Sequence, residues 1–401
     1  MLELLTRPVR WAIRRGYQPA DGDPPPTECI VVRPGPAGVR AATAVPAVPA
    51  VAAELGDGFG GGLALVLPTY VGRAPLSSHR ETVEELVTQL TDLPPTVAAR
   101  PLVLVVGMQW RDDQHDEAIA RLGQLSEIAA SRGGLTFVGI AMPQAGKSRM
   151  LNAAFEVATG LGLAGVAWVD DDVTFSAGCI GRLLEDFLDR GARGSAGASK
   201  VPQPNPYAAA RLLHRGKQIT KTPKFGYPHG CCMVIDAELA ARGIPDRYTC
   251  EDDYFCFALL DPRHDNPLHR THIVADAVSY HLTGGPAGEI RHRVNRSLLT
   301  AAVLMADFPA DVAGRYWRMY FYGLWPLAPA ARGQGLHFAA KKWLLKSIHF
   351  GWFSRVALGL AVRGVVGRPR REIPWSAYTR HAKPTASSVP LSPKISRGER
   401  A

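Results

Sequence analysis

The stretch Gly165-Val166-Ala167-Trp168-Val169-Asp170-Asp171-Asp172-Val173 is an apolar run of strand length that ends in three consecutive carboxylates. A short continuous apolar run bounded by polar residues reads as a strand buried on both faces. Upstream lie three more such runs, Leu63 to Leu67, Pro101 to Val106 and Leu135 to Ile140. Helical patterns separate them. His79 to Leu90 places Val83, Leu86, Val87 and Leu90 on one face, and Asp116 to Ala130 and Gly146 to Thr159 follow the later strands. Strands alternating with helices predict an α/β fold, a mostly parallel twisted sheet with helices on both faces. Ligands of such sheets gather at the carboxyl ends of the strands, where Asp170, Asp171 and Asp172 stand.

Three adjacent carboxylates repel one another, so burying them calls for a cation. Their hard oxygen ligands suit Mg2+ or Mn2+, and both ions bridge diphosphates. Alternation along an extended segment points Asp170 and Asp172 one way and Asp171 the other. Asp172 is therefore read as a metal ligand, and Asp170 as part of the metal shell or a contact to a ribose. The competing reading is a solvated loop whose acids cap the helix beginning near Ser176. A second acidic group, Glu251-Asp252-Asp253, opens the apolar segment Tyr254 to Leu260. An acid at a helix mouth near a metal-bound diphosphate can take a proton from an incoming hydroxyl. It can equally well complement the helix macrodipole.

Ala141 to Ser148 fits a relaxed phosphate-loop pattern between a strand and a helix, so a nucleotide triphosphatase is a rival reading. The stretch has a single glycine, Pro143 removes a backbone donor, and two strand–helix units precede it. These features speak against a phosphate cradle.

Taken in order, the segments resemble family 2 inverting glycosyltransferases of the GT-A fold. Leu65-Val66-Leu67-Pro68-Thr69-Tyr70 is similar to that family's opening strand, and Gly146-Lys147-Ser148-Arg149-Met150-Leu151-Asn152-Ala153-Ala154 to its G-K-x-x-A-L-N-x-A helix. Val169 to Asp172 stands where the family has its metal motif. Gly230 to Asp236 resembles its acceptor-side glycine segment, and Glu251-Asp252 its acidic pair. The resemblance spans roughly residues 62 to 296.

It implies Mn2+ or Mg2+ as cofactor and a nucleotide-diphosphate sugar as donor, UDP-sugar by default. Asp252 would be the general base, with Glu251 orienting it or binding acceptor. Pro68, Thr69, Tyr70, Lys147, Asn152, Asp170, Asp171 and Gly230 would line the substrates. His281 would complete the metal shell, and Arg291, Arg293 and Arg296 would face the leaving diphosphate. One departure stands out. The acidic pair expected after the second strand is replaced by Gly107-Met108-Gln109-Trp110, with Asp112 and Asp113 arriving late. Gln109 is left as the candidate contact to the base.

The 401-residue chain carries a net charge of +10, unevenly placed. From Arg291 onward there are 19 Lys and Arg against 4 Asp and Glu, and the preceding residues hold 27 against 32. Tryptophans and cations interleave from 315 to 375, a composition suited either to an interfacial helix on an anionic membrane or to helices packed on the domain. No nucleic-acid module accompanies the charge, and no nucleic-acid partner is expected. No apolar run reaches the length of a membrane span, and the six cysteines lack zinc-like spacing. A cytoplasmic protein, peripheral at the inner face of the cell membrane if the basic extension binds lipid, is expected. The acceptor would be a saccharide, glycolipid or small molecule. The organisation expected is an N-terminal extension over 1–60, partly disordered or an accessory strand pair, and a catalytic domain over 61–296. A helical basic extension over 297–382 and a disordered tail over 383–401 would follow.

Overall fold

The computed structural model describes residues 7–18, 27–33, 42–131, 135–143, 146–203, 207–208, 211–212, 227–281, 287–319 and 336–371. The expected tail and parts of the N-terminal extension lie outside them, as do Gln144 and Ala145 of the phosphate-loop-like stretch. The first half of the chain runs α1 (Arg7–Gly16), β1 (Tyr17–Gln18), β2 (Glu28–Val32), β3 (Ala42–Val45), α2 (Val48–Leu55), β4 (Leu63–Tyr70), α3 (Leu76–Thr91), α4 (Pro95–Ala98), β5 (Leu102–Trp110), α5 (His115–Ser131), β6 (Thr136–Pro143) and α6 (Lys147–Gly160). It continues through β7 (Gly165–Val169), β8 (Val173–Phe175), α7 (Cys179–Asp189), β9 (Ser195–Pro202), β10 (Cys232–Asp236), α8 (Ala237–Arg242), α9 (Glu251–Leu259) and β11 (Thr271–His281). The last elements are α10 (Ala287–Asp307), α11 (Ala310–Trp317), α12 (Leu336–Val365) and β12 (Arg370–Arg371).

Ten strands form one sheet in the order β3-β2-β6-β5-β4-β7-β10-β9-β11-β8. Its centre, β6-β5-β4-β7, is parallel, as the alternating pattern predicts. The four central strands are buried almost throughout. Successive side chains point to opposite faces, and two cores result. Ala64, Val66, Val103, Val105, Val166 and Trp168 meet α2 and α6 on one face. Leu65, Leu67, Leu104, Val106, Ala167 and Val169 meet α3, α5 and α7 on the other. Gly107 lies where α6 comes closest, since a Cβ there would sit 2.1 Å from Met150 Sδ.

The flanks depart from parallel pairing. β10 runs antiparallel to β7, with Cys232 opposite Val169, and β8 closes the far edge antiparallel to β11. At the other edge β2 and β3 form the accessory strand pair, β2 antiparallel to β6.

The basic extension packs together with the N-terminal helix. α12 crosses α1 so closely that a Cβ on Gly16 would lie 1.8 Å from the Leu360 carbonyl oxygen, and one on Gly364 1.8 Å from that of Ala12. β1 and β12 pair in parallel beyond this crossing. α1 also closes the end of α10. Arg14 Nε donates to the Ala306 carbonyl at 2.8 Å and pairs with Asp307 at 3.2 Å, and Arg10 Nε donates to Ala306 at 3.1 Å. Cations suit the unsatisfied carbonyls and negative dipole end of a helix C-terminus.

Candidate active site

The antiparallel step from β7 to β10 builds the site. Pairing of Cys232 with Val169 carries the preceding turn alongside Asp170, whose N–H donates to the Cys231 carbonyl at 3.0 Å. Gly230, in that turn, is a hub. Its carbonyl accepts from Lys147 Nζ and from Trp168 Nε1, both at 2.9 Å, and its N–H donates to Asp252 Oδ2 at 3.2 Å. A Cβ at this position would stand 2.3 Å from Glu251 Oε1, so only glycine lets α9 begin this close to the turn.

Lys147 joins the two acidic clusters. From the first turn of α6 its buried ammonium reaches Asp170 Oδ1 at 2.5 Å and also pairs with Glu251 Oε1. Burial alone would lower the ammonium pKa, but the charges and hydrogen bonds of Asp170 and Glu251 outweigh it and hold the pKa above its ordinary value. The same burial raises the Glu251 carboxyl, with Lys147 pulling part of the way back. Because the ammonium is turned inward onto two carboxylates and a carbonyl, Lys147 is not presented as a phosphate-loop lysine.

The three acids opening α9 experience different surroundings. Asp252, 22% exposed, has His229 Nδ1 at 3.7 Å. Burial pushes its carboxyl up, but the His229 contact, the Gly230 N–H and Lys147 outweigh burial and hold it below the usual carboxylate range. Asp253 accepts from the Tyr227 hydroxyl at 2.6 Å. Burial, with the charge of Asp252 beside it, pushes Asp253 up to about 8 despite that bond and the Arg296 charge. One group is thus ionised at neutral pH and its neighbour largely protonated, a separation that fits acids and bases of different duty.

Asp172 is partly exposed at the turn between β7 and β8, and Asp171 beside it is buried. His281 ends β11 directly across the ladder from Val173. Its Nδ1 lies 3.1 Å from the Val201 carbonyl. That bond fixes the tautomer with Nδ1–H donating and places the lone pair on Nε2, the arrangement usual for a metal-ligating imidazole. Among the described residues no three His, Cys, Asp or Glu side chains enclose a metal by themselves. The carboxylate and imidazole donors at this strand end are of the hard kind that a divalent cation such as Mn2+ or Mg2+ takes, and such an ion would need further ligands from outside the protein.

Other expected residues are placed as follows. Pro68 and Thr69 are buried at the end of β4, where the Thr69 hydroxyl donates to the Gly107 carbonyl at 3.1 Å, and Tyr70 is partly exposed beside them. Gln109 is buried and accepts from the Gly146 N–H at 2.9 Å, fixing the turn that opens α6, where Gly146 has φ +91°. Asn152 accepts from the Ile244 N–H and donates to its carbonyl, both at 2.8 Å. Its amide thus holds the turn after α8, whereas the sequence expectation set it against the nucleotide. Arg293 is exposed on α10, and Arg296, one turn on, places its charge near Asp253 and Cys250. Arg291 is exposed at the start of the same helix.

Sequence reading did not single out Tyr227, His229 or Trp168, the residues that set Asp253, Asp252 and Gly230. The signal available was Tyr227-Pro228-His229 immediately before the glycine segment.

No protein-family model matches the chain, and no curated protein matches it. Among solved structures, the mannosyltransferase PcManGT from Pyrobaculum calidifontis, in complex with GDP-Man and Mn2+, is 17% identical. That match covers 92% of this chain and 99% of the other, with a TM-score of 0.46. S. aureus TarS is 12% identical, covering 77% of this chain and 54% of its own, at a TM-score of 0.38. Glucosyl-3-phosphoglycerate synthase from Mycobacterium tuberculosis, with Mn2+, UDP-Glc and phosphoglyceric acid, is 16% identical, covering 65% and 83%, also at 0.38. Likenesses this loose leave the functional reading to the chain's own residues.

Proposed function

We propose that the chain is an inverting glycosyltransferase, moving a sugar from a nucleotide-diphosphate donor to a hydroxyl acceptor by a single displacement, with catalysis in residues 61–296. The observation that carries the reading is the joining of two acidic clusters from distant parts of the sequence. Lys147 and Gly230 hold Asp170 at one strand end and Glu251 and Asp252 at the start of α9, around one place. The order of motifs that resembles family 2 enzymes supports the same reading. UDP-sugar is the default donor, and the reduced, buried cysteines accord with a cytoplasmic setting.

Asp172 and His281, with Asp170 beside them, are the residues assigned to hold Mn2+ or Mg2+. Such an ion supplies charge neutralisation for the departing diphosphate. Asp252, ionised at neutral pH and partly exposed, accepts the proton of the incoming hydroxyl. A carboxylate held this low is a weak base, so the proton moves late, as bond formation to the anomeric carbon makes the hydroxyl acidic. Glu251, fixed by Lys147, keeps the start of α9 in register with Gly230. Arg296 adds positive charge on the same side, where anionic groups collect. An attack by the acceptor itself needs no enzyme nucleophile and inverts the anomeric centre.

A thermal-shift series with UDP, GDP and ATP, each with and without Mn2+, tests the reading. Stabilisation by UDP or GDP that requires Mn2+ and disappears in Asp172→Ala is expected. Stabilisation by ATP alone would refute it.

A further inference from the structure

Helix α12 carries an apolar stripe that nothing among the described residues covers. Leu344, Ile348, Leu358, Val362 and Val365 are 52–69% exposed. With Gly351 and Arg355 between them they follow alternating steps of four and three residues, which keeps a single face of a helix in line. The opposite face is the packed one. Phe353 and Leu360 are buried there, Phe350 and Phe353 meet Trp317 at 5.7 and 5.6 Å, and Gly364 abuts α1. The helix therefore satisfies its fold with one side and leaves a second apolar side to solvent.

The charges on the two helices that build this face, α12 and α1, are of one sign. Neither α12 nor α1 contains an acidic residue. Lys341, Arg355, Arg363 and Arg368 are exposed along or beside the stripe, and Trp343 is 47% exposed on its flank. On α1, Trp11 is half exposed with the Arg15 guanidinium 4.8 Å above its ring. We infer that this face of α12 docks on an anionic lipid surface, the helix lying in the headgroup plane.

Three physical points select that occupant. Apolar residues backed by tryptophan and ringed by cations match the acyl–headgroup boundary of a negatively charged leaflet. A second copy of the chain would bring the same cations face to face, Arg355 within the stripe itself, with no carboxylate on either helix to answer them. Spanning is excluded for the described helices, none being long and apolar enough to cross a membrane. The surface is also preformed. α1 and α10 fix α12 before any lipid is met, including through Trp352 Nε1 donating to Asn295 Oδ1 at 2.7 Å. Docking then does not have to meet the ordering cost of a helix that folds on binding. Asn295 adjoins Arg296, whose charge acts on Asp253 of α9, so α10 touches both α12 and the surroundings of the proposed site.

The test is co-sedimentation of the full chain with phosphatidylglycerol–phosphatidylcholine vesicles and with phosphatidylcholine alone. Binding to the anionic vesicles, weakened by salt, is expected. Val362→Glu/Leu358→Glu and Arg355→Glu/Arg363→Glu should each lower partitioning about tenfold or more, with the melting temperature within about 2 °C of wild type, as for exposed substitutions. These residues lie outside the proposed site, so the Mn2+-dependent nucleotide shift should persist in both variants and report an intact fold. Absence of vesicle binding would overturn the inference. So would equal binding by the variants, or a concentration-dependent dimer, abolished by Val362→Glu, in a protein that ignores vesicles.

Discussion

Replacing Lys147 by methionine keeps most of the apolar stem of the side chain and removes the ammonium between Asp170 and Glu251, together with its bond to the Gly230 carbonyl. The two carboxylates, 30% and 8% exposed, would then face each other across the vacated position. Removing one partner of a buried ion pair typically costs about 3–5 kcal/mol, because the remaining charge keeps its desolvation cost without compensation. For a chain of 401 residues the entropy of unfolding converts this to a fall in Tm of about 4–6 °C. The loss should depend on pH. Lys147 pulls the Glu251 carboxyl down in the wild type, so without it that carboxyl rises further above its unfolded value. A group whose folded pKa is raised takes stability away as pH climbs through the interval between its two values. The deficit of Lys147→Met should therefore be smaller at pH 5.5 than at pH 8. Adding Glu251→Gln should restore about 1–3 kcal/mol, since the two sites share one interaction. Differential scanning fluorimetry of both variants at the two pH values is sufficient. An equal deficit at both pH values, or additive effects in the double variant, would refute the bridging role assigned to Lys147.

Four further outcomes are expected. Asp252→Asn should lower kcat for sugar transfer by about 10²–10⁴, the usual worth of a general base, while leaving the metal-dependent nucleotide shift in place; product formation by chromatography measures it. Asp253→Asn bears on the carboxyl pushed up to about 8. In the wild type that group withdraws stability as pH rises from its unfolded value of ~3.9 to about 8, so the wild-type Tm should fall relative to the variant's on going from pH 5 to pH 8.5. A gap constant across that range would contradict a protonated Asp253. Gly364→Val must move backbone rather than a side-chain tip, because a Cβ there meets the Ala12 carbonyl oxygen at 1.8 Å; a loss of about 1–3 kcal/mol or more is expected from denaturant midpoints. Asp172→Asn, at a partly exposed turn, should change metal-free stability by no more than about 0.5 kcal/mol yet abolish the Mn2+-dependent stabilisation by nucleotide, read by calorimetry.

The parallel centre of the sheet was legible because each of its strands is an uninterrupted apolar run, and both of its faces are covered. β9 was not. Ser195-Ala196-Gly197-Ala198-Ser199-Lys200 has small side chains and no period, and it becomes a strand by pairing between β10 and β11. The edge pair β2–β3 was equally undecided, since strand propensity without alternation does not separate an ordered arm from a loose one. At the site, acid clusters could be read as sequence, but their meeting could not. Lys147 lies 104 positions from Glu251, and only the β7–β10 register brings Gly230 between them. Asn152 shows the opposite case: a motif position whose amide turns out to hold backbone, because α8 ends beside α6 and its turn has donors and acceptors to satisfy.

The crossing of α1 with α12 has a consequence for how the molecule is assembled in time. Residues 7–16 emerge from the ribosome long before residues 336–365, and the glycine contact that seats them waits for the whole sheet to be made in between. Through that interval α1 is a short basic helix with an unburied Ile13 side, unable to hold itself together for lack of length. Closure of so distant a contact is slow relative to the local βα units. The seam between the two helices is accordingly expected to be the last part to form and the first to open, a latch whose fastening reports that everything between has already folded.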